Sequence, residues 1–140
     1  MAALILDTRA LEVLADTRAD AAASRRMLNI LSSASRAGMP VRVPSAVLAE
    51  AYTGTSADAA VDRVLGAGMR AVTTGRRIAR VAASLKYRDH LDSCDTVDAL
   101  VVATAVRFGG GVIATGDPAD MQSLAREHPN VAVARLTGRR

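Results

Sequence analysis

Five short apolar or alternating stretches punctuate the chain, and between them apolar residues recur at helical spacing. Ala3–Leu6 is continuously apolar and stops at Asp7. A run of that length fits a strand buried on both faces, with the acid at its carboxyl end. Leu11 and Leu14 then signal a helix, and Asp20 opens a longer one carrying Met27, Leu28, Ile30 and Leu31, closed by Gly38. Met39–Val43 predicts the second strand, and Pro44-Ser45 a helix start, with Ser45 as the cap. That helix faces Val47 and Leu48 inward, carries Glu50 near its middle and breaks at Gly54-Thr55-Ser56. A further helix over Ala57–Leu65 is stopped by Gly66 and Gly68, and Met69–Val72 is the candidate third strand.

Thr74–Arg88 has a helical pattern, with Ile78, Val81 and Leu85 on one side and Arg76, Arg77 and Arg80 elsewhere. After a polar segment, Asp95–Phe108 predicts a helix, glycines 109–111 a break and Val112–Thr115 the fourth strand. Pro118–Glu127 follows as a helix, Val131–Leu136 alternates as a fifth strand, and Gly138-Arg139-Arg140 is expected to fray. Strands alternating with helices imply right-handed crossovers and a parallel sheet covered on both faces, an α/β/α architecture. With 140 residues and no linker or repeat, residues 1–140 are expected to form a single domain.

Composition narrows the chemistry. The only aromatics are Tyr52, Tyr87 and Phe108, so the core must be built from Ala, Val, Leu, Ile and Met. Lys86 is the only lysine; the net charge of +4 is carried by arginine, whose planar fork suits phosphate. That balance permits a polyanionic partner, although a GC-rich genome would produce the same bias. A single cysteine, Cys94, excludes an intrachain disulfide framework and suits a reducing compartment. The N-terminus has no basic start and meets Asp7 early, and no apolar run nears the ~20 residues of a membrane span. A soluble cytoplasmic protein with no membrane partner is expected.

The acids decide what kind of chemistry to expect. In open parallel sheets, ligands bind beyond the carboxyl ends of the strands, where the winding reverses. Asp7 ends the first strand and Asp117 follows the fourth; if those strands are neighbours, both carboxylates share one rim. A crossover helix starting at Asp95 runs antiparallel to the strands and brings Asp98 to the same rim, while Glu50 can approach from the side. Capping offers a plainer account of several of these residues. Asp95 and Asp98 have capping-box spacing, Asp117-Pro118 suits a helix start, and Asp120 suits a first turn. Asp7 and Glu50 open no evident helix.

Two carboxylates about 4 Å apart repel by roughly 4 kcal/mol at an effective dielectric near 20. A crowded set must take up protons or a cation, and oxygen ligands select hard ions such as Mg²⁺ or Mn²⁺. Beside arginines, such a site points to phosphodiester hydrolysis. Other classes fit less well. A dehalogenase-type phosphatase needs a second acid where Arg9 stands, and a receiver domain needs a lysine at a late strand end, whereas Lys86 lies in a helix. His90, Cys94 and His128 do not make a convincing zinc or thiol site.

Four segments in order, Leu4–Thr8 (LILDT), Val43–Tyr52 (VPSAVLAEAY), Asp95–Ala105 (DTVDALVVATA) and Val112–Leu124 (VIATGDPADMQSL), resemble the PIN-domain nucleases. The likeness is greatest to the VapC-type toxins of bacterial toxin–antitoxin pairs and spans nearly the whole chain. It implies a three-layer α/β/α domain with strand order 3-2-1-4-5, RNA cleavage, a homodimer, and inhibition by a small VapB-like antitoxin. By the same resemblance, Asp7, Glu50, Asp98 and Asp117 match the acidic quartet that holds Mg²⁺ or Mn²⁺. Asp95 and Asp120 are looser matches, and Thr115 matches a supporting hydroxyl. Arg9 departs from the pattern, where relatives carry a small polar residue; a solvated side chain is the simple expectation and phosphate contact the alternative. The competing function is a catalytically weak PIN fold that binds RNA or protein without turnover.

Overall fold

The computed structural model describes residues 2–88 and 95–136; the expectations for His90, Cys94 and the 138–140 tail lie outside them. Strand β1 (Ala3–Leu6) is buried at every position, as its continuous apolar run requires. It lies at the centre of a five-stranded parallel sheet with β2 (Val41–Pro44), β3 (Arg70–Val72), β4 (Gly111–Thr115) and β5 (Val131–Arg135). The order is β3-β2-β1-β4-β5, as expected. Leu4 is paired with Val41 on one side and Val112 on the other.

The helices are α1 (Thr8–Ala15), α2 (Ala21–Arg36), α3 (Ser45–Ala51), α4 (Asp58–Gly66), α5 (Arg76–Arg88), α6 (Thr96–Arg107) and α7 (Pro118–Leu124). Winding runs from β1 out to β3, then returns across β1 to β4 and β5, so it reverses between β1 and β4. Right-handed crossovers then place α1–α4 on one face and α5–α7 on the other. α1 packs on α2, α3 and α4, and α6 packs on α5, α7 and the sheet, with α3 also reaching α6. Helix α6 is apolar nearly all round, with Ala99 and Val101–Ala105 buried, because it is held between the sheet and α5. The described core contains no aromatic residue.

Several boundaries differ from expectation for identifiable reasons. β2 starts at Val41 because the Met39 N–H still donates to the Ala34 carbonyl, closing α2 with Gly38 in the left-handed region. Helix α7 stops at Leu124 rather than Glu127; Pro129 disfavours helical backbone at His128, and the chain turns towards β5. Ser45 does not cap α3. Pro44 occupies the cap position, and the Ser45 hydroxyl instead donates to Thr74 Oγ1 (3.1 Å) and accepts from the Thr74 N–H (2.9 Å), tying α3 to the segment before α5. Asp7, which opened no evident helix in the sequence, does cap α1.

Gly111, at φ +135°, lies where β4 enters beneath β1, and a Cβ there would overlap the Ala3 carbonyl. Gly111→Ala must therefore strain the backbone and part the central strand pair. It should cost about 3 kcal/mol or more in urea unfolding; a loss below about 1 kcal/mol would contradict this packing.

Candidate active site

Asp7 is the fixed point of the sheet's carboxyl rim. Only 5% exposed, it follows β1 directly. Its Oδ1 accepts from the Ala10 N–H of α1 (2.8 Å) and its Oδ2 from the Gly116 N–H after β4 (3.1 Å). The buried Thr115 hydroxyl also hydrogen-bonds Asp7 and accepts from the Asp117 N–H at 2.8 Å. Burial raises the Asp7 pKa, and these donors offset only part of that effect.

The other acids divide by what their side chains touch. Asp95 caps α6, accepting from the Val97 N–H at 2.7 Å. Asp98, three residues on, makes no such bond; it is half-buried and faces Asp95, Asp117, Asp7 and Asp120. Desolvation first, then those neighbouring charges, push its pKa up to about 7. Asp117 occupies the cap position of α7 without accepting a capping hydrogen bond, so its carboxylate is available to the rim. It shares a hydrogen bond with Asp120, which, with their mutual repulsion, raises the Asp120 pKa. One carboxylate oxygen from each of Asp98, Asp117 and Asp120 lies within 4.8 Å of the others. Glu50, exposed near the end of α3, accepts from the Thr8 hydroxyl at 2.5 Å.

These groups line a cleft of about 360 Å³ at the winding reversal. Asp7, Glu50, Asp95, Asp98 and Asp117 all border it; Thr115 lies beneath, and Asp120 joins through Asp117 rather than through the cleft wall. A hollow of about 390 Å³ between α2 and the sheet is lined mainly by apolar groups such as Leu4, Ile30 and Val112, and has no comparable cluster. The tight oxygen trio thus takes in Asp120, a looser match in sequence, and leaves Asp7 and Glu50 as flanking acids. As a donor set, three carboxylates with oxygens converging within 4.8 Å fit a hard divalent cation, whose charge would offset their repulsion.

Sequence reasoning missed Thr8, Glu12 and Gly116 as cleft residues. Thr8 and Glu12 are four apart on α1 and share a helical face, so their spacing carried the signal once Asp7 was known to open that helix. The arginines at 76, 77 and 80 are exposed on α5 and do not border the cleft; among the described residues, the arginine that does is Arg9.

The raised Asp98 pKa has a thermodynamic consequence. The folded state holds a proton that the unfolded chain releases near pH 4, so this stabilisation is complete below pH 3.8 and lost as pH rises through about 7. Without divalent ions, Asp98→Asn should therefore be more stable than wild type at pH 8, by about 1–2 kcal/mol after solvent screening, and the difference should shrink towards pH 5. Thermal melts across that range test it. A gap that is constant with pH would contradict the charge crowding.

The PIN domain family model matches residues 4–127. Among solved structures, the fold is similar to VapBC2 from Rickettsia felis bound to a DNA fragment from their promoter (TM-score 0.69, 13% identity, 94% of this chain and 97% of that one). It is also similar to a toxin–antitoxin complex from Klebsiella pneumoniae (0.67, 17% identity, 98% and 100%). DNA-bound VapBC from Salmonella typhimurium gives 0.66 at 14% identity, covering 98% and 100%. A comparison with curated proteins found no match. At these identities the structural likeness speaks to the fold, while the family match spans most of the chain: the chain belongs to the PIN domain family.

Proposed function

We propose that this chain is an endoribonuclease that hydrolyses RNA phosphodiester bonds with Mg²⁺ or Mn²⁺, acting in the cytoplasm as the toxin of a toxin–antitoxin pair. The observation that carries the reading is the trio Asp98, Asp117 and Asp120, with oxygens within 4.8 Å of one another and Asp98 poised at about pH 7. Carboxylates gathered at that spacing, with no ion-pair partner among the described residues, favour a cation in their place. Membership of the PIN family and the likeness to toxin–antitoxin complexes support the rest.

In this reading Asp98 and Asp117 would hold the ion, helped by Asp120 or Asp7. A divalent ion bound there supplies charge neutralisation for the scissile phosphate and a lowered pKa for water. The chain's own residues do the remaining work. Glu50, positioned by the Thr8 hydroxyl, accepts a proton from the attacking water. Asp7 and Thr115 keep α1 and the loop after β4 at a set distance, so that the acids stay converged. We further propose a homodimer of single-domain chains and a VapB-like antitoxin as partner; likeness to VapBC complexes supports the latter.

Asp98→Asn and Asp117→Asn should each lower RNA cleavage by about 100-fold or more at saturating Mn²⁺, with melting temperatures measured without divalent ions at or above wild type. EDTA should abolish cleavage by wild type. Cleavage that survives EDTA or both substitutions would reject the site. RNA binding without any metal-dependent turnover would instead favour the binding-module reading.

A further inference from the structure

The cleft has a charge problem that the acids alone do not solve. Six carboxylates border it (Asp7, Glu12, Glu50, Asp95, Asp98 and Asp117), and an RNA phosphodiester is itself an anion. Among the described lining residues the one cation is Arg9. Its place is locally unfavourable: it stands in the first turn of α1, where the helix dipole disfavours positive charge. A residue that breaks a local rule without helping its own helix needs a reason beyond that helix.

Two features hold it there. The Arg9 Nη2 donates to Asp20 Oδ2 at 3.1 Å, while Asp20 Oδ1 caps α2 by accepting from the Ala23 N–H. The aliphatic stem of Arg9 lies across Gly116, where an added Cβ would meet Arg9 Cγ at 2.6 Å and Cβ at 2.8 Å. Gly116 is not in the left-handed region, so its backbone does not demand glycine; the space taken by Arg9 does. The Arg9 side chain is 43% exposed and borders the cleft, and a guanidinium has five N–H donors, more than Asp20 takes up.

We propose that Arg9 is the phosphate clamp of this cleft, its guanidinium binding a non-bridging oxygen of the RNA backbone from a position set in advance by Asp20 and Gly116. This rests on the ribonuclease reading above. A planar fork gives bidentate contact to a phosphate, and here it offsets part of the repulsion from the carboxylate wall. A purely structural Arg9, serving only to tie α1 to α2, would make Arg9 and Asp20 interchangeable in their effects.

The test is fluorescence anisotropy with a mixed-sequence single-stranded RNA and Asp98→Asn protein, which holds substrate without turnover, across a series of salt concentrations. Adding Arg9→Ala should weaken binding by about 10-fold at low salt and flatten the slope of log K against log salt by about 1. Arg9→Lys should keep the slope but recover only part of the affinity. Asp20→Asn, which retains the cap oxygen and the Arg9 charge but loosens its tether, should weaken RNA binding by no more than about 3-fold and keep the salt slope, and Mn²⁺ affinity should not fall in Arg9→Ala of the otherwise wild-type protein. Unchanged affinity and slope in Arg9→Ala, in a protein that binds and cleaves RNA, would overturn the clamp alone. Equal losses from Arg9→Ala and Asp20→Asn would overturn it in favour of a structural tie. A wild-type protein that neither binds nor cleaves RNA would remove the nuclease reading and the clamp with it.

Discussion

One buried carboxylate sits at the seam between β1 and β4 and joins three elements. Asp7 ends the central strand, caps α1 through the Ala10 N–H and holds the loop after β4 through the Gly116 N–H. Desolvating that acid is costly, and the hydrogen bonds it receives return part of the cost. In exchange, the two sides of the winding reversal are fixed relative to each other. Everything at the rim follows from that: Thr115 reaches Asp7, Asp117 is placed by Thr115, and Asp98 meets a field of negative charge that lifts its pKa to about 7. The fold brings acids together at a distance that water alone would not favour.

Much of this was legible in the sequence because strands buried on both faces leave a plain trace. Ala3–Leu6 and the fourth strand needed only their apolar runs and the following acids, and the sheet order followed from the family resemblance. Caps were less legible. The signal at Leu11 and Leu14 hid the fact that α1 begins at Thr8, so Asp7 looked like a strand end alone. Ser45 had the right residue type for a cap but found a better partner across the chain in Thr74.

The division among the acids was the least legible feature, and the reason is physical. An aspartate at a helix N-terminus and an aspartate in a cation site look the same in a sequence, because both answer to positive charge. Asp95 and Asp117 hold equivalent cap positions, yet Asp95 spends an oxygen on the Val97 N–H while Asp117 turns to Asp120. Only the third dimension separates them. The same holds for the arginines: a count of positive charge drew attention to α5, whereas the one cation among the described cleft residues is Arg9, held by a salt bridge to Asp20 and a glycine 107 positions away.

The central claim is that the converged acids are a place for a divalent ion. Anomalous diffraction from crystals grown with Mn²⁺ tests it most directly. The account predicts a peak in the cleft bounded by the carboxylates of Asp98 and Asp117, with the hydrogen bond between Asp117 and Asp120 broken. A cleft without anomalous density at millimolar Mn²⁺ and pH 8, or a peak lying only outside it, would contradict the account.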